Sequence, residues 1–226
     1  MHSMKGLFIT GTDTEVGKTF VTVSMLQQLA SRRFKVVGFK PVASGCSGSS
    51  QELRNADALA LQAASTIELS YQQVNPYAFE PAIAPHIAAQ QSGRVIELSA
   101  LHQHYAELEK LNPDFILTEG AGGWRLPLDQ NCYLSDFARQ EKMEVILVVG
   151  MRLGCLNHAV LSAETIERDG LKLAGWVANQ IELDMPDIKS NLESLKHRLT
   201  APFLGYIPRL NDPESSQQYL DLTPLL

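Results

Sequence analysis

GTDTEVGKT, residues 11 to 19, follows the first apolar run of the chain and has the composition of a phosphate-binding loop. The common form of that loop has four residues between its two glycines, whereas five separate Gly11 from Gly17 here. Backbone N–H groups at a helix start make an anion cradle, to which Lys18 would add a positive charge and Thr19 a hydroxyl for Mg²⁺. A glycine turn followed by an exposed lysine is the alternative. The order strand, glycine loop, Gly-Lys-Thr and helix favours the phosphate site.

Short apolar runs alternate with helix-like stretches along the rest of the chain. Runs such as VILVV are apolar on both faces, which is typical of strands buried between two layers of helices. The pattern predicts an α/β fold of the P-loop NTPase type, mostly parallel, with helices on both faces of the sheet. Strands are predicted at residues 6–10, 35–40, 114–120, 145–150, 173–179 and 203–208, and helices at 18–32, 52–64, 96–110, 157–169 and 187–199.

The totals fit one domain over residues 1–226 and exclude several classes of partner. Of the 226 residues, 45% are apolar and 19% charged, and the net charge of -6 argues against nucleic acid as the main ligand. Three widely spaced cysteines suggest reduced thiols and no metal cluster. Without a long apolar stretch or a signal-like start, we expect a cytoplasmic protein. Residues 1–3 are compatible with a cloning remnant ahead of Met4, a point the sequence leaves open.

Residues 75–93 are the main irregular segment, because they carry three prolines within a short span. A long proline-rich loop inside a compact domain is more often functional than decorative. We therefore expect this segment to border a binding site.

The residues between Gly11 and Gly17 distinguish among nucleotide-binding proteins. Partitioning and cell-division ATPases carry a second lysine that would fall at Asp13, so the sequence disfavours that class of partner-controlled switch. Glu15 beside phosphates requires a cation, a ribose or an amine as its neighbour. The irregular loop therefore suggests small-molecule chemistry.

Several further motifs occur in an order that is specific to one family. Together they cover about residues 6–210 and resemble the dethiobiotin synthetase family, ATP-dependent ligases with a P-loop fold in which the longer glycine loop is part of the pattern. The motifs are GTDTEVGKT, KPVASG (40–45), NADALAL (55–61), VNPYAFEPAIAPH (74–86), EGAGGW (119–124), VILVVG (145–150) with LGCLNHA (153–159), and GWVAN (175–179).

The resemblance implies a reaction that closes a cyclic urea. One amine of 7,8-diaminononanoate captures CO₂ as a carbamate, ATP phosphorylates it, and the second amine displaces phosphate to give dethiobiotin and ADP. Such chemistry needs positioning and charge neutralisation and no covalent nucleophile. It also implies Mg²⁺, ATP as co-substrate, and a homodimer with the substrate at the subunit interface.

The resemblance also implies site residues, position by position. Lys18 and Lys40 are the expected catalytic cations, and Thr19, Asp57 and Glu119 match the family's Mg²⁺ site. Ser44, Thr14 and Asn157 match substrate contacts. Nucleotide contacts are expected from Glu15, Val16, Gly17, Lys18, Thr19, Phe20, Asp57, Glu119, Gly120, Ala121, Gly122, Asn179, Gln180, Pro208, Arg209, Leu210 and Glu214.

Ordinary structural roles compete with some of these assignments. Lys40 could be a solvated strand-end lysine and Asp57 a helix first-turn residue, which Asp favours. We expect His158 to pack or cap and not to act as a base, and leave His86 open between the two. Amidoligases that use glutamine-derived ammonia form a third candidate class. They carry a glutaminase domain for which 226 residues leave no room.

Overall fold

Six of the apolar runs form one parallel sheet, which confirms the predicted fold class. The structure is a computed structural model that describes residues 4–49, 52–210 and 213–226, without the side chain of Glu214. Residues 1–3, discussed above as a cloning remnant, lie outside the described residues. The strands are β1 (Lys5–Gly11), β2 (Val36–Phe39), β3 (Val42–Ala43), β4 (Tyr77–Ala78), β5 (Phe115–Gly123), β6 (Glu144–Met151), β7 (Leu173–Gln180) and β8 (Phe203–Ile207). The sheet order is β2-β5-β1-β6-β7-β8, and β3 pairs with β4 separately.

Helices connect the strands and cover the sheet. Seven of the eight residues of β6 are buried, although neighbouring side chains point to opposite faces, so both faces are covered. The helices are α1 (Lys18–Ser31), α2 (Ala56–Ala64), α3 (Tyr71–Val74), α4 (Pro85–Gln91), α5 (Leu98–Glu109), α6 (Leu134–Gln140), α7 (Cys155–Arg168) and α8 (Ile188–Arg198). Two 3-10 helices follow at Glu214–Tyr219 and Thr223–Leu225.

The segment 75–93 is less irregular than the sequence suggested. Its second half is α4, which begins with Pro85 at its first turn, where a missing N–H costs no helical hydrogen bond. The short elements α3, α6, β3 and β4 were also not predicted, because runs of two to seven residues carry little periodicity. Strand β5 extends to Gly123, beyond its predicted end, and pairs there with Gly11.

The parallel arrangement brings the carboxyl ends of β1, β2 and β5 to one edge of the sheet. In open α/β sheets this edge is where ligands bind. The phosphate loop leaves β1 at this edge and leads directly into α1. Within the described ranges, no helix is both long and apolar enough to span a bilayer.

Candidate nucleotide and substrate site

The phosphate loop ends in a left-handed turn that only glycine adopts easily. Gly17 has φ 86° and precedes the first turn of α1, and its carbonyl accepts from the N–H of Val21 at 3.0 Å. A Cβ at this position would also lie 2.1 Å from Nδ2 of Asn179. Glu15 adopts φ 58°, a conformation uncommon for residues with a side chain. The loop is therefore held in a shape that exposes its backbone amides at the helix start.

Side chains from outside the loop's apex keep that shape. Asn179, at the end of β7, donates from Nδ2 to the carbonyl of Val16 at 2.9 Å. Lys18 curls back and donates from Nζ to the carbonyl of Asp13 at 2.9 Å. Both bonds tie the loop to itself or to the sheet, so its geometry is set before any ligand arrives.

Burial changes the acidity of Lys18. Desolvation and the neighbouring Lys40 charge lower its pKa from 10.5 to about 8, although Glu119, Asp57 and Asp13 act in the opposite direction. At neutral pH the lysine is still mainly protonated. It remains a cation that can bind phosphates, and its pKa lies within about one unit of neutral pH.

A buried ion cluster lies at the carboxyl ends of β2 and β5. Nζ of Lys40 lies 2.5 Å from Oε1 of Glu119 and 3.4 Å from Oδ2 of Asp57. The hydroxyl of Thr19 donates to the same Glu119 oxygen at 2.8 Å. Asp57 reaches the cluster from the first turn of α2, whose N-terminus is capped by Asn55. Four expected site residues therefore meet in one place.

Charge balance in the cluster favours the ionised lysine. Burial opposes ionisation of Lys40, but Glu119 and Asp57 outweigh it and hold the Lys40 pKa above its ordinary value. Oε2 of Glu119 is buried and has no hydrogen-bond partner among the described residues. Such an oxygen is costly unless a ligand meets it.

The same cluster suits Mg²⁺. This ion prefers a few hard oxygen ligands and keeps several waters, and Thr19, Asp57 and Glu119 offer a hydroxyl and two carboxylates. Oε2 of Glu119 would supply a ligand atom that no other group in the described parts of the chain contacts. In the described part of the chain, no group of three or more His, Cys, Asp or Glu side chains is arranged to hold a metal. The fit therefore depends on the threonine hydroxyl and water.

A cavity of about 820 Å³ opens over the loop and the cluster. Its floor contains Lys18, Lys40 and Glu119, and one wall is formed by the segment before α4. The expected residues that line it are Thr14, Glu15, Gly17, Lys18, Thr19, Phe20, Lys40, Ser44, Asp57, Glu119, Ala121 and Gly122.

Other expected residues lie away from this cavity. Asn157 is exposed on the first turn of α7. Gln180 uses its amide within the protein, accepting from Tyr206 at 2.6 Å and donating to the carbonyls of Glu182 and Leu183. The remaining ones are Val16, Gly120, Asn179, Pro208, Arg209 and Leu210, and the side chain of Glu214 lies outside the described residues.

The cavity also has lining residues that the site assignment missed. Ala82, Ile83, Ala84 and Pro85 form an apolar wall, with Leu126 nearby. The clustered prolines of segment 75–93 were the available signal. They predicted that the segment borders a binding site but did not predict which of its residues line the cavity. Ala43 and Asn55 also line the cavity. They belong to the KPVASG and NADALAL motifs, from which only Lys40, Ser44 and Asp57 were assigned to the site.

The two tryptophans pack inside the protein. Trp176 is fully buried, with its ring 4.5 Å from that of Phe203. Trp124 packs edge-on against Phe8 and donates from Nε1 to Asp169 at 2.8 Å. Neither side chain faces the cavity.

Comparison with known proteins agrees with this geometry. A family model described as "AAA domain" matches residues 5–217. The ATP-dependent dethiobiotin synthetase BioD of Pseudomonas paraeruginosa is 51% identical over 98% of both chains, and that of Cellvibrio japonicus is 50% identical over 99% of both. The chain belongs to the dethiobiotin synthetase family. The enzyme of the same name from Aeromonas hydrophila is 45% identical over 99% of this chain and all of its own.

Solved structures extend the likeness at the level of the fold. The MinC:MinD cell division complex of Aquifex aeolicus aligns with a TM-score of 0.60 at 18% identity, covering 95% of this chain and 91% of that one. MinD with Mg-ADP from Pyrococcus horikoshii aligns with a TM-score of 0.57 at 19% identity, covering 96% and 86%. At these identities the family member shares a fold with the MinD proteins and nothing further follows.

Proposed function

We propose that this chain is an ATP- and Mg²⁺-dependent ligase that converts 7,8-diaminononanoate and CO₂ into dethiobiotin, ADP and phosphate, the penultimate step of biotin synthesis. The observation that carries the proposal is the junction of a phosphate loop, a buried lysine–carboxylate cluster and an apolar wall around one cavity. The relatives named above support the substrate assignment.

The reaction begins when one amine of the substrate adds to CO₂ and loses a proton, which gives a carbamate anion. A carbamate oxygen is a poor leaving group, so ring closure needs its phosphorylation. We assign to Lys40 the neutralisation of carbamate and phosphoryl oxygens. Burial opposes its ionisation, but the neighbouring Glu119 and Asp57 carboxylates outweigh burial and hold the Lys40 pKa above its ordinary value, so Lys40 is a cation at neutral pH.

Phosphoryl transfer follows from ATP to the carbamate oxygen, which breaks the bond between the γ-phosphorus and the bridging oxygen of ADP. Lys18 holds the β- and γ-phosphates and follows the moving group, while the loop N–H groups near Gly17 donate hydrogen bonds to the phosphate oxygens. The second amine then attacks the carbamoyl carbon, phosphate leaves and the amine loses a proton. Thr14 and Glu15 lie at the junction between the phosphates and the substrate.

Mg²⁺ would be held by Thr19, Asp57 and Glu119, where it would neutralise phosphate charge. The unpartnered Glu119 oxygen supports this assignment. In the same cluster Lys40 and Thr19 contact the same oxygen of Glu119, so these two side chains hold the carboxylate in one orientation.

We assign the nucleoside to the ends of β7 and β8. Asn179 donates one Nδ2 hydrogen to the carbonyl of Val16, and its Oδ1 can accept from an adenine amino group. Ser44 and the wall Ala82–Pro85 are assigned to the diamine and its hydrocarbon chain. The other proposed nucleotide contacts are Phe20, Gly120, Ala121, Gly122, Gln180, Pro208, Arg209, Leu210 and Glu214.

A homodimer forms part of the proposal. Asn157 is exposed at the N-terminal end of α7 and does not line the cavity of its own chain. Leu153, just before that helix, is 97% exposed and would be covered by a second copy that packs against this helix start. We infer that this helix start faces the substrate carboxylate bound by a second copy. We also propose that residues 1–226 act as one domain in the cytoplasm, in keeping with three free cysteines.

Phosphate release measured with and without the diamine tests the function. We expect release from Mg-ATP to depend on both 7,8-diaminononanoate and bicarbonate, with dethiobiotin formed in equal amount. Ser44→Ala should raise the KM for the diamine and leave ATP binding unchanged, while the distant Ser194→Ala serves as its control. Equal phosphate release with and without diamine would contradict the ligase assignment.

A further inference from the structure

Asp13, the residue where partitioning ATPases carry a lysine, has each of its acceptor groups engaged. Its Oδ1 accepts from the N–H of Thr14 at 2.7 Å, and its carbonyl accepts from Nζ of Lys18 at 2.9 Å. Its Oδ2 forms an ion pair with the guanidinium of Arg152. Asp13 therefore contacts the loop backbone, the proposed phosphate-binding Lys18, and an arginine that is distant in the sequence.

The neighbouring residue is attached to the same part of the sheet. The N–H of Thr12 donates to the carbonyl of Val148 at 2.9 Å, and its hydroxyl accepts from the N–H of Gly150 at 3.3 Å. Arg152 follows β6 directly, one residue after its last member Met151. The irregular half of the loop is thus fastened to the carboxyl end of β6.

Electrostatics explains why Asp13 needs a cationic partner. A carboxylate in a phosphate-binding loop repels the phosphates that the loop amides and Lys18 attract. The charge of Asp13 reaches Lys18, on whose pKa it acts. The side chain of Arg152 is 33% exposed and that of Asp13 46% exposed, so solvent screens the pair only in part.

We propose that Asp13 and Arg152 form a positioning pair for nucleotide binding. Arg152 neutralises the Asp13 carboxylate and holds it against β6, and the Asp13 carbonyl then holds Lys18 ready for the phosphates. The pair takes the place that a second lysine occupies in the partitioning ATPases. This inference deepens the proposed function and rests on it for the identity of the anion, a nucleoside triphosphate.

Four variants separate charge neutralisation from a purely structural role. Arg152→Met leaves Asp13 unneutralised, so we expect the Kd for Mg-ATP to rise about tenfold. Asp13→Asn keeps an acceptor for Thr14 and removes the charge, so ATP binding stays within about twofold or tightens. The double variant Asp13→Asn/Arg152→Met should recover most of the lost affinity. Arg139→Met, which removes another exposed Asp–Arg pair with Asp136, is the matched control and should change nothing.

Calorimetric titration of the full chain with Mg-ATP, without diamine, gives these affinities, and thermal unfolding of each variant reports its folding. Wild-type affinity in Arg152→Met, or no recovery in the double variant, would overturn the pairing. Asp13→Asn decides the matter if Arg152→Met does not fold, because a tenfold loss there contradicts neutralisation. Steady-state kinetics should show a raised KM for ATP in Arg152→Met with little change in kcat. Loss of diamine dependence alone would refute the proposed function and leave the pair intact.

Discussion

The two ends of the sheet each carry a lysine–glutamate pair, and the pairs differ in their surroundings. At the carboxyl end Lys40 contacts Glu119 with side chains 5% and 1% exposed. At the amino end Lys5 lies 2.7 Å from Glu144, with side chains 29% and 25% exposed, and Lys172 contacts the same carboxylate. Because all six strands are parallel, the first pair lies beside the phosphate loop and the second lies far from it.

The difference shows that burial, and not the pair itself, marks the functional end. Burying two charges costs several kcal/mol in desolvation, which a single contact rarely recovers, whereas a part-exposed pair contributes about 1 kcal/mol or less. Among the described residues neither Glu119 Oε2 nor Glu144 Oε2 accepts a hydrogen bond, but Glu144 Oε2 lies 2.7 Å from the Lys5 ammonium, whereas Glu119 Oε2 has no cation beside it. Such an arrangement lowers stability, and the proposed Mg²⁺ would supply the missing partner.

Lys40→Met breaks the buried pair and should have the largest effect. We expect diamine-dependent phosphate release to fall about a thousandfold, because transition-state charge loses its preorganised cation. Stability should fall by about 3 kcal/mol, since Glu119 is left as a buried anion without a cation. Lys40→Met/Glu119→Gln should regain stability in urea unfolding without regaining activity. Full activity in Lys40→Met would remove this lysine from the mechanism.

Glu119→Gln tests whether the carboxylate is present for a metal ion. We expect activity to fall about a hundredfold and the Mg²⁺ concentration for half-maximal activity to rise, because an amide is a weaker ligand than a carboxylate. Titrating Mg²⁺ into the assay, after removal of metal with a chelator, gives both values. Glu144→Gln at the other end of the sheet is the matched control. If both variants show the same Mg²⁺ dependence, Glu119 is not a ligand of the metal ion.

Lys18 predicts a pH dependence at the carboxyl end. Its pKa is lowered to about 8, so it loses its charge as the pH rises through that value, and phosphates then lose a cationic partner. We expect kcat/KM for ATP to fall above pH 8, approaching tenfold per pH unit. Lys18→Arg keeps its charge and should lack this inflection, even with lower activity. An unchanged inflection in Lys18→Arg would assign it to another group.

Lys172→Met at the amino end should have the smallest effect. We expect a loss below about 0.5 kcal/mol, since the lysine is exposed and its pair is screened, and unaltered activity. Burial raises the Glu144 pKa, but bonds from Lys172 and Lys5 outweigh it and hold that pKa below 4.5. A lowered folded-state pKa contributes stability above the ordinary value and loses it as the pH falls. Urea unfolding should therefore show a smaller difference in free energy of unfolding between the wild-type protein and Lys172→Met at pH 3 than at pH 7.

Local sequence was sufficient for the parts of the fold with strong periodicity. Long apolar runs predicted the six sheet strands, and the helices α1, α5, α7 and α8 began within about two residues of their predicted starts. Helix α4 was missed because proline was taken only as a loop former, although it also suits a first helical turn. The positions of these strands and helices were predictable because they depend on residues adjacent in the sequence.

The sequence by itself was sufficient to predict the phosphate loop, because the pattern of Gly17, Lys18 and Thr19 after a strand involves only residues adjacent in the chain. Family resemblance pointed to Lys40, Asp57 and Glu119. Only the tertiary structure decided which side chains contact each other. For instance, it left Oε2 of Glu119 without a hydrogen-bond partner among the described residues.

Long-range partners show the limit most clearly. Asp13 and Arg152 are 139 residues apart, and Asn179 and Val16 are 163 apart. Their contacts depend on strand order and register, which place β6 beside β1 and β7 on the far side of β6. No local pattern encodes that placement, because it results from the packing of the whole sheet. The extra residue of GTDTEVGKT was therefore visible in the sequence, and the β6 residues that hold this part of the loop were visible only in the fold.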